Sequence, residues 1–223
     1  MFLGPKTAFT RTDAFDGGVM AGIDGNGVYA SNDLMTLITS GFGTGGRVLS
    51  VHGDVTVTRD DVARRKGSPT MRSLISLRND GTAKTVHVQI HSDLGSDSNT
   101  YIQSSSNGNL TFNEADRWII SADVEPGQNP NDPVVTQAFK GKGAKTGYSI
   151  SPNCDPNQGY FGVEYAVNLP AYSTRYLLLF AEMNPTAKSA KKGAAKFDSP
   201  KKLKQLLSGI SKSKQKKILN WDL

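Results

Sequence analysis

Apolar residues alternate with polar ones along most of this chain, and this period of two restricts the fold more than any other feature. In TMRSLISLRNDGTAKTVHVQIHSD, residues 70–93, the alternation continues on both sides of an Asn79–Gly81 turn. The alternating apolar residues are Met71, Ile75, Leu77, Val86, Val88 and Ile90. Because such a pattern around an Asp-Gly turn is typical of a half-buried β-hairpin, we predict a hairpin here.

A second stretch, GYFGVEYAVNLPAYSTRYLLLFAE (residues 159–182), has the same arrangement around a Pro-Ala-Tyr-Ser turn. Before the turn the alternating residues are Phe161, Val163, Tyr165 and Val167. After the turn, the run from Tyr176 to Phe180 is apolar at consecutive positions. A strand that is apolar on both faces is typical of the middle of a sheet, so we predict another hairpin whose second strand is central.

Shorter strand candidates occur elsewhere, separated by clusters of Gly, Asn, Asp, Ser and Pro. They are RVLSV, VTVT, TYIQ, RWIISA, VVTQAF and GYSI. Many short strands with a turn about every ten residues predict an all-β fold, an antiparallel β-sandwich or a large super-sandwich. Since no helical periodicity separates the strands, a parallel α/β sheet is not expected.

The last part of the chain changes period. Ser199 precedes Pro200 as a helix N-cap would, apolar residues follow at helical spacing, and Gly209 stands where a left-handed C-cap is usual. A second short helix is expected from Ser211. Isolated helices below about 12 to 15 residues are marginal in water, so both need a surface to pack on. We therefore predict a β-sandwich domain at 1–184, a Lys/Ala-rich linker at 185–198, and a helical hairpin at 199–223 packed on the sandwich.

Positive charge is concentrated at the same end of the chain. The formal net charge is +6, yet residues 188–223 hold eleven lysines against Asp198 and Asp222, so this segment carries +9 and the rest carries −3. The lysines predicted to form an electrostatic tail are Lys201, Lys202, Lys204, Lys212, Lys214, Lys216 and Lys217. The favoured interpretation is a helical cover with lysines facing solvent, and contact with an anionic lipid surface is an alternative. No nucleic-acid partner is expected, because the segment contains no arginine and a single tryptophan.

Compartment signals are sparse. The single Cys154 cannot form an internal disulfide, and MFLGPKTAF lacks the apolar core of an export signal. No run of about 18 apolar residues predicts a transmembrane segment.

A resemblance supplies a further expectation. The run LRNDGTAKTVHVQIHSDLGSDSNTYIQSSSNGNLTFNEADRWIISAD, the stretch GYFGVEYAVNLPAYSTRYLLLF, and the C-terminal FDSPKKLKQLLSGISKSKQKKILNWDL cover most of residues 45–223. The DLGSDS loop after a strand, ADRW opening the next, the Pro-containing turn and the leucine-rich helical pair ending in NWD resemble an uncharacterised family of bacterial secreted or surface β-sandwich domains. The resemblance implies a secreted or cell-surface location and this architecture, and no established activity.

Sequence motifs for cofactors are incomplete. GFGTGG at residues 41–46 matches G-x-G-x-x-G but precedes the strand candidate RVLSV rather than a helix, and FKGKGAKTG has no Gly-Lys followed by Ser or Thr. His87 and His91 share one face of a strand but stand about 13 Å apart at 3.3 Å per residue, too far to bind one zinc ion. No cofactor is therefore expected, with calcium as the exception considered next.

Oxygen-rich loops and aromatic residues provide the site candidates. Asp93, Asp97 and Asn99 in SDLGSDSNT could ligate calcium, although the same residues are common in ordinary β-turns, which is the favoured interpretation. Tyr160 and Tyr172 lie near turns, where an exposed ring could stack on a sugar, and Asp116 is the carboxylate assigned to ligand hydroxyls. Trp118 is expected in the core.

These observations favour a non-catalytic extracellular or cell-surface module that binds a glycan or a protein partner. A self-assembling structural subunit of a surface layer, filament or matrix is the second hypothesis. The third is a glycan-active enzyme with two carboxylates about 5 to 10 Å apart. Its candidate carboxylates are Asp93, Asp97, Glu114 and Asp116.

Overall fold

The computed structural model describes residues 18–23, 47–52, 54–64, 70–93, 100–150 and 160–223. Within these ranges there are eleven strands: β1 (Gly18–Ile23), β2 (Arg47–His52), β3 (Val55–Arg64), β4 (Thr70–Asn79), β5 (Lys84–Asp93), β6 (Tyr101–Ser105), β7 (Trp118–Ala122), β8 (Val134–Ala138), β9 (Ser149–Ile150), β10 (Tyr160–Leu169) and β11 (Ser173–Asn184). They are followed by α1 (Ala187–Ala194), α2 (Pro200–Leu203), a 3₁₀ helix (Lys204–Leu207) and α3 (Lys212–Gln215). Every stretch predicted as a strand overlaps one of these strands.

The strands form two antiparallel sheets. One has four strands in the order β1-β5-β10-β9, and the other has seven in the order β2-β3-β4-β11-β8-β7-β6. The predicted all-β, antiparallel class is therefore confirmed, and two sheets that share a core are consistent with a sandwich. β11 is the fourth strand of seven, as its apolar sequence predicted.

Both predicted hairpins are wrong. β4 is hydrogen-bonded to β3 and β11, whereas β5 is hydrogen-bonded to β1 and β10. The Asn79–Gly81 turn therefore crosses from one sheet to the other as an arch, and the turn between β10 and β11 does the same. Alternation specifies which side chains face the core, but a partner across the core produces the same pattern as a partner beside the strand.

The main core lies between the two sheets. Strands from both sheets contribute to it, including the residues Val55, Val57, Ile75, Leu77, Val86, Val88, Ile90, Phe161, Val163, Tyr165, Val167, Leu177 and Leu179. Leu178 and Phe180 of β11 point the other way, into a second apolar cluster on the outer face of the seven-stranded sheet. At about 25 cal/mol per Å² of buried apolar surface, neither face of β11 could remain uncovered in water.

The C-terminal segment, residues 185–223, covers that outer face. Its buried residues are Ala190, Ala194, Phe197, Leu203, Leu206, Leu207, Ile210, Ile218 and Trp221. α2 begins at Pro200 and α3 follows Ser211, whose hydroxyl accepts a hydrogen bond from the Lys214 N–H, so both predicted helix starts are found. α2 and α3 are one turn each, and a helical hairpin stays a prediction. The range predicted as a linker, 185–198, contains α1, which begins with a capping box between Thr186 and Ser189.

Polar contacts attach the segment to the sheet. The Asn220 amide donates to the carbonyls of Leu178 and Phe139 and accepts from the Leu178 N–H, at 2.7 to 2.9 Å. Asp198 accepts from the Arg117 guanidinium and, at 2.9 Å, from the Trp118 indole. Trp118 is buried, as predicted, and Trp221 is buried as well. Within the described ranges, no helix has the length and apolar character needed to cross a membrane.

Candidate functional site at the arch end

The two arches lie side by side at one end of the sheets. The Tyr172 N–H in the second arch donates to the Gly81 carbonyl in the first at 3.2 Å, and the Asp80 N–H donates to the Asp54 carbonyl at 2.8 Å. We call this region, residues 79–84 and 169–173 together with Asp54, the arch end. Three separate parts of the chain are thereby joined in one small surface.

The buried Asn79 side chain is hydrogen-bonded to both arches of the arch end. Its side chain is fully buried, and its amide nitrogen donates to the carbonyls of Thr82 at 2.8 Å and Pro170 at 3.0 Å. Its amide oxygen accepts from the Gly81 N–H at 3.0 Å. Since the donors and the acceptor of this one amide are used on both arches, the position of each arch depends on the other.

Tyr172 is presented to solvent at the tip of the second arch. It is 80% exposed, and its φ of +48° is in the left-handed region, which L-residues other than Asn and Gly seldom adopt. It is the only non-glycine residue with a positive φ in the described part of the chain. A backbone conformation of this kind costs about 1 to 3 kcal/mol, and residues that adopt one cluster at active sites, ligand clamps and switch regions.

Charged side chains flank the first arch. Asp80 pairs with Arg78 at 2.8 Å, and Asp54 pairs with Lys84 at 3.2 Å. Any side chain at Gly81 would clash with the Asp54 carboxylate, so glycine is required for Asp54 to lie against the arch. Exposed ion pairs of this kind contribute only about 0 to 1 kcal/mol, so these carboxylates can exchange their partners for the hydroxyls of a ligand at little cost.

A second polar surface lies on the outer face of the four-stranded sheet. Glu164 accepts a hydrogen bond from Gln89 at 3.0 Å and lies 2.7 Å from Nδ1 of His87. These two contacts, from Gln89 first and then His87, lower the pKa of Glu164 below its ordinary value. His87 is a surface residue, as predicted. Among the described side chains of β5 and β10, none on this face is an exposed large aromatic residue.

The predicted ligand residues are separated by the fold. Tyr172 is exposed as expected, whereas Tyr160 is the first residue of β10 and its side chain lies outside the described part of the structure. Asp116 is fully buried, accepts from the Asn113 N–H at 3.0 Å and lies 3.4 Å from the Ser106 hydroxyl, so it closes its own loop. Because its carboxylate is buried, Asp116 does not contact a ligand at the surface.

The residues predicted to bind calcium lie at or beyond the end of β5, mostly outside the described part of the chain. Asp93 ends β5, with its side chain outside the described residues, and Asp97 and Asn99 lie outside them altogether. Within the described ranges, no group of three or more His, Cys, Asp or Glu side chains could hold a metal ion.

Asn79, Gly81 and Asp54 were not predicted as site residues. The sequence signal was present, since Asn-Asp-Gly marks a tight turn, but we interpreted it as the tip of a hairpin. These residues become part of the candidate site because the second arch lies next to the first. The contact between the two arches belongs to the tertiary structure, and no local sequence pattern contains it.

Comparisons with known proteins add little to this geometry. No protein-family model and no curated protein matches the chain. A solved structure described as "Putative kojibiose phosphorylase from human microbiome" matches at 13% sequence identity with a TM-score of 0.31, over 70% of this chain and 21% of that one. The chain thus spans about a fifth of that structure, and similarity at this level carries no functional argument.

Proposed function

We propose that this chain is a non-catalytic extracellular or cell-surface module that binds a glycan through the arch end. In this proposal the two sheets form a β-sandwich. The C-terminal segment forms a helical hairpin that covers the outer face of the seven-stranded sheet. The supporting observation is Tyr172, an aromatic ring that is 80% exposed on a left-handed backbone at the tip of an arch.

The chemistry of the arch end suits a sugar. A tyrosine face can pack on the apolar face of a pyranose ring, while carboxylates and carbonyls accept hydrogen bonds from its hydroxyls. At the neighbouring arch, Asp54 and Asp80 supply exposed carboxylates, and Thr82 supplies an exposed hydroxyl. Because Asn79 fixes both arches, little conformational freedom is lost on binding, which favours affinity.

The test is binding to a printed array of soluble glycans by the full chain and three variants. We expect Tyr172→Ala to lose at least about tenfold in affinity, because the stacking surface is removed. Tyr172→Gly also removes the ring but relieves the left-handed strain, so it should lose binding without losing stability. Tyr101→Ala is the control. Tyr101 is also exposed, but it lies on β6, the edge strand that is separated from β11 by β8 and β7.

Equal binding by wild type and Tyr172→Ala would contradict the assignment, as would the absence of any glycan signal. Light scattering of the same samples distinguishes a monomeric binding module from the alternative, a self-assembling subunit. A self-assembling subunit should form larger species at modest concentration. The glycan-active enzyme hypothesis gains no support from Asp116, one of its four candidate carboxylates, because Asp116 is buried and hydrogen-bonded within its loop.

A further inference from the structure

The C-terminal segment has a charged outer surface as well as an apolar inner one. Its exposed lysines are Lys188, Lys191, Lys192, Lys201, Lys202, Lys204, Lys212, Lys214, Lys216 and Lys217. We call this set the lysine layer. It includes all seven lysines predicted for the electrostatic tail, and the layer lies over the outer face of the seven-stranded sheet because the segment's apolar residues pack on that face.

Little acidic charge offsets the lysine layer. The segment has two aspartates, and Asp198 is already engaged by Arg117 and Trp118, which leaves Asp222 as the exposed carboxylate. The remainder of the chain carries a formal charge of −3. The molecule is therefore strongly polarised, and an anionic surface would attract the layer while repelling the remainder.

We propose that the lysine layer is a docking surface for an anionic lipid bilayer, to which the protein binds peripherally through charge. The lysines are distributed over α1, α2, the 3₁₀ helix and α3 rather than along one element. Lysines carried by several elements suit an extended anionic partner such as a bilayer, whereas a linear polymer can follow only part of them.

The side chains of the segment also indicate how it would bind. Phe197 and Trp221 are buried, and residues 188–223 contain no arginine, so the layer offers neither stacking rings nor bidentate phosphate contacts of the kind typical of nucleic-acid binding. The terminal Leu223 is the one large apolar residue of the segment that is exposed. Contact should therefore remain at the level of the lipid headgroups, without insertion of a helix face.

The experiment is co-sedimentation of the full chain with vesicles of phosphatidylcholine, alone or with 30% phosphatidylglycerol, at low and high salt. We expect binding only to the anionic vesicles and only at low salt, because exposed charges are screened beyond about 10 Å at 0.1 M salt. A lysine near an anionic bilayer contributes about fivefold to partitioning. The variant Lys212→Gln/Lys214→Gln/Lys216→Gln/Lys217→Gln should lose at least about tenfold.

Matched variants make the result specific. The four corresponding Lys→Arg substitutions keep the charge and should bind like wild type, and since all four positions are exposed, neither set should unfold the protein. Tyr172→Ala should bind vesicles normally, so this inference stands or fails separately from glycan binding. Unchanged vesicle binding by the Lys→Gln variant, equal binding to neutral vesicles, or stronger binding to soluble dextran sulfate at equal charge concentration would overturn it.

Discussion

Asn79 shows how one buried side chain can hold two loops that are distant in sequence. Its amide is fully buried and bonded to the backbone at Gly81, Thr82 and Pro170. Removing it takes away the acceptor of the Gly81 N–H and a donor to the Thr82 and Pro170 carbonyls. The Pro170 carbonyl keeps the Ser173 hydroxyl at 2.7 Å. Each hydrogen bond lost contributes about 0.5 to 1.5 kcal/mol to stability. The exposed Tyr172 therefore depends on a residue that no ligand would touch.

We expect Asn79→Ala to lower the free energy of unfolding by about 2 to 4 kcal/mol. Urea denaturation monitored by tryptophan fluorescence measures this, because Trp118 and Trp221 are both buried. Asn168→Ala is the matched control: Asn168 is exposed and bonded to the Thr85 hydroxyl at 2.7 Å, and its loss should cost under about 0.5 kcal/mol. If both variants had the same midpoint, the arches would not depend on Asn79.

At the scale of elements, an ion pair just beyond the C-terminal end of α1 attaches the helix to the central strand. Glu182 of β11 is fully buried, pairs with Lys196, and accepts from Thr70 at 2.9 Å and Asn184 at 3.1 Å. Gly193 of α1 packs directly on the Glu182 carboxylate, where any larger residue would clash. Burial lowers the pKa of Lys196 to about 8.

We expect Glu182→Gln to destabilise the protein by about 3 to 5 kcal/mol, because it leaves the Lys196 ammonium partly buried without a counter-charge. The double variant Glu182→Leu/Lys196→Met removes both charges and should recover much of that loss. Glu114→Gln, at an exposed carboxylate, serves as the control in the same thermal and urea titrations. A single variant no less stable than the control would show that the pair does not hold α1 to the sheet.

For the whole molecule, the C-terminal segment is the second cover of the seven-stranded sheet. Without it, the outer face would expose apolar residues of four strands, among them Leu74, Trp118, Ile120, Leu178 and Phe180. A continuous apolar surface of this size is an aggregation hazard on a monomeric protein. The segment that looks like an appendage in the sequence is thus a layer of the fold.

We expect a chain that ends at Asn184 to aggregate or to fold only partially, whereas the full chain stays folded. Size-exclusion chromatography with light scattering, together with circular dichroism, distinguishes these states. A shorter truncation that ends at Asp222 is the control, because Leu223 is exposed and its removal uncovers nothing. A folded, monomeric 1–184 fragment of wild-type stability would mean that the outer face does not need its cover.

The sequence alone identified every described strand except β1, the central position of β11, the starts of α2 and α3, and the exposure of Tyr172. Each depends on information that is local: a period of two, a run apolar on both faces, a capping residue, or an aromatic beside a turn. Each of these signals spans only a few residues, so it can be read from the sequence without knowing how the rest of the chain folds.

Only the tertiary structure decided which strands pair, that the predicted linker is a packed helix, and that Asn79, Gly81 and Asp54 meet Tyr172. Alternation assigns a face to each side chain, and it is satisfied equally by a neighbour in the same sheet and by a neighbour across the core. The choice between hairpin and arch depends on hydrogen bonds and packing between segments some ninety residues apart, as between Asn79 and Pro170. That information belongs to the folded chain as a whole, because no local segment contains both partners.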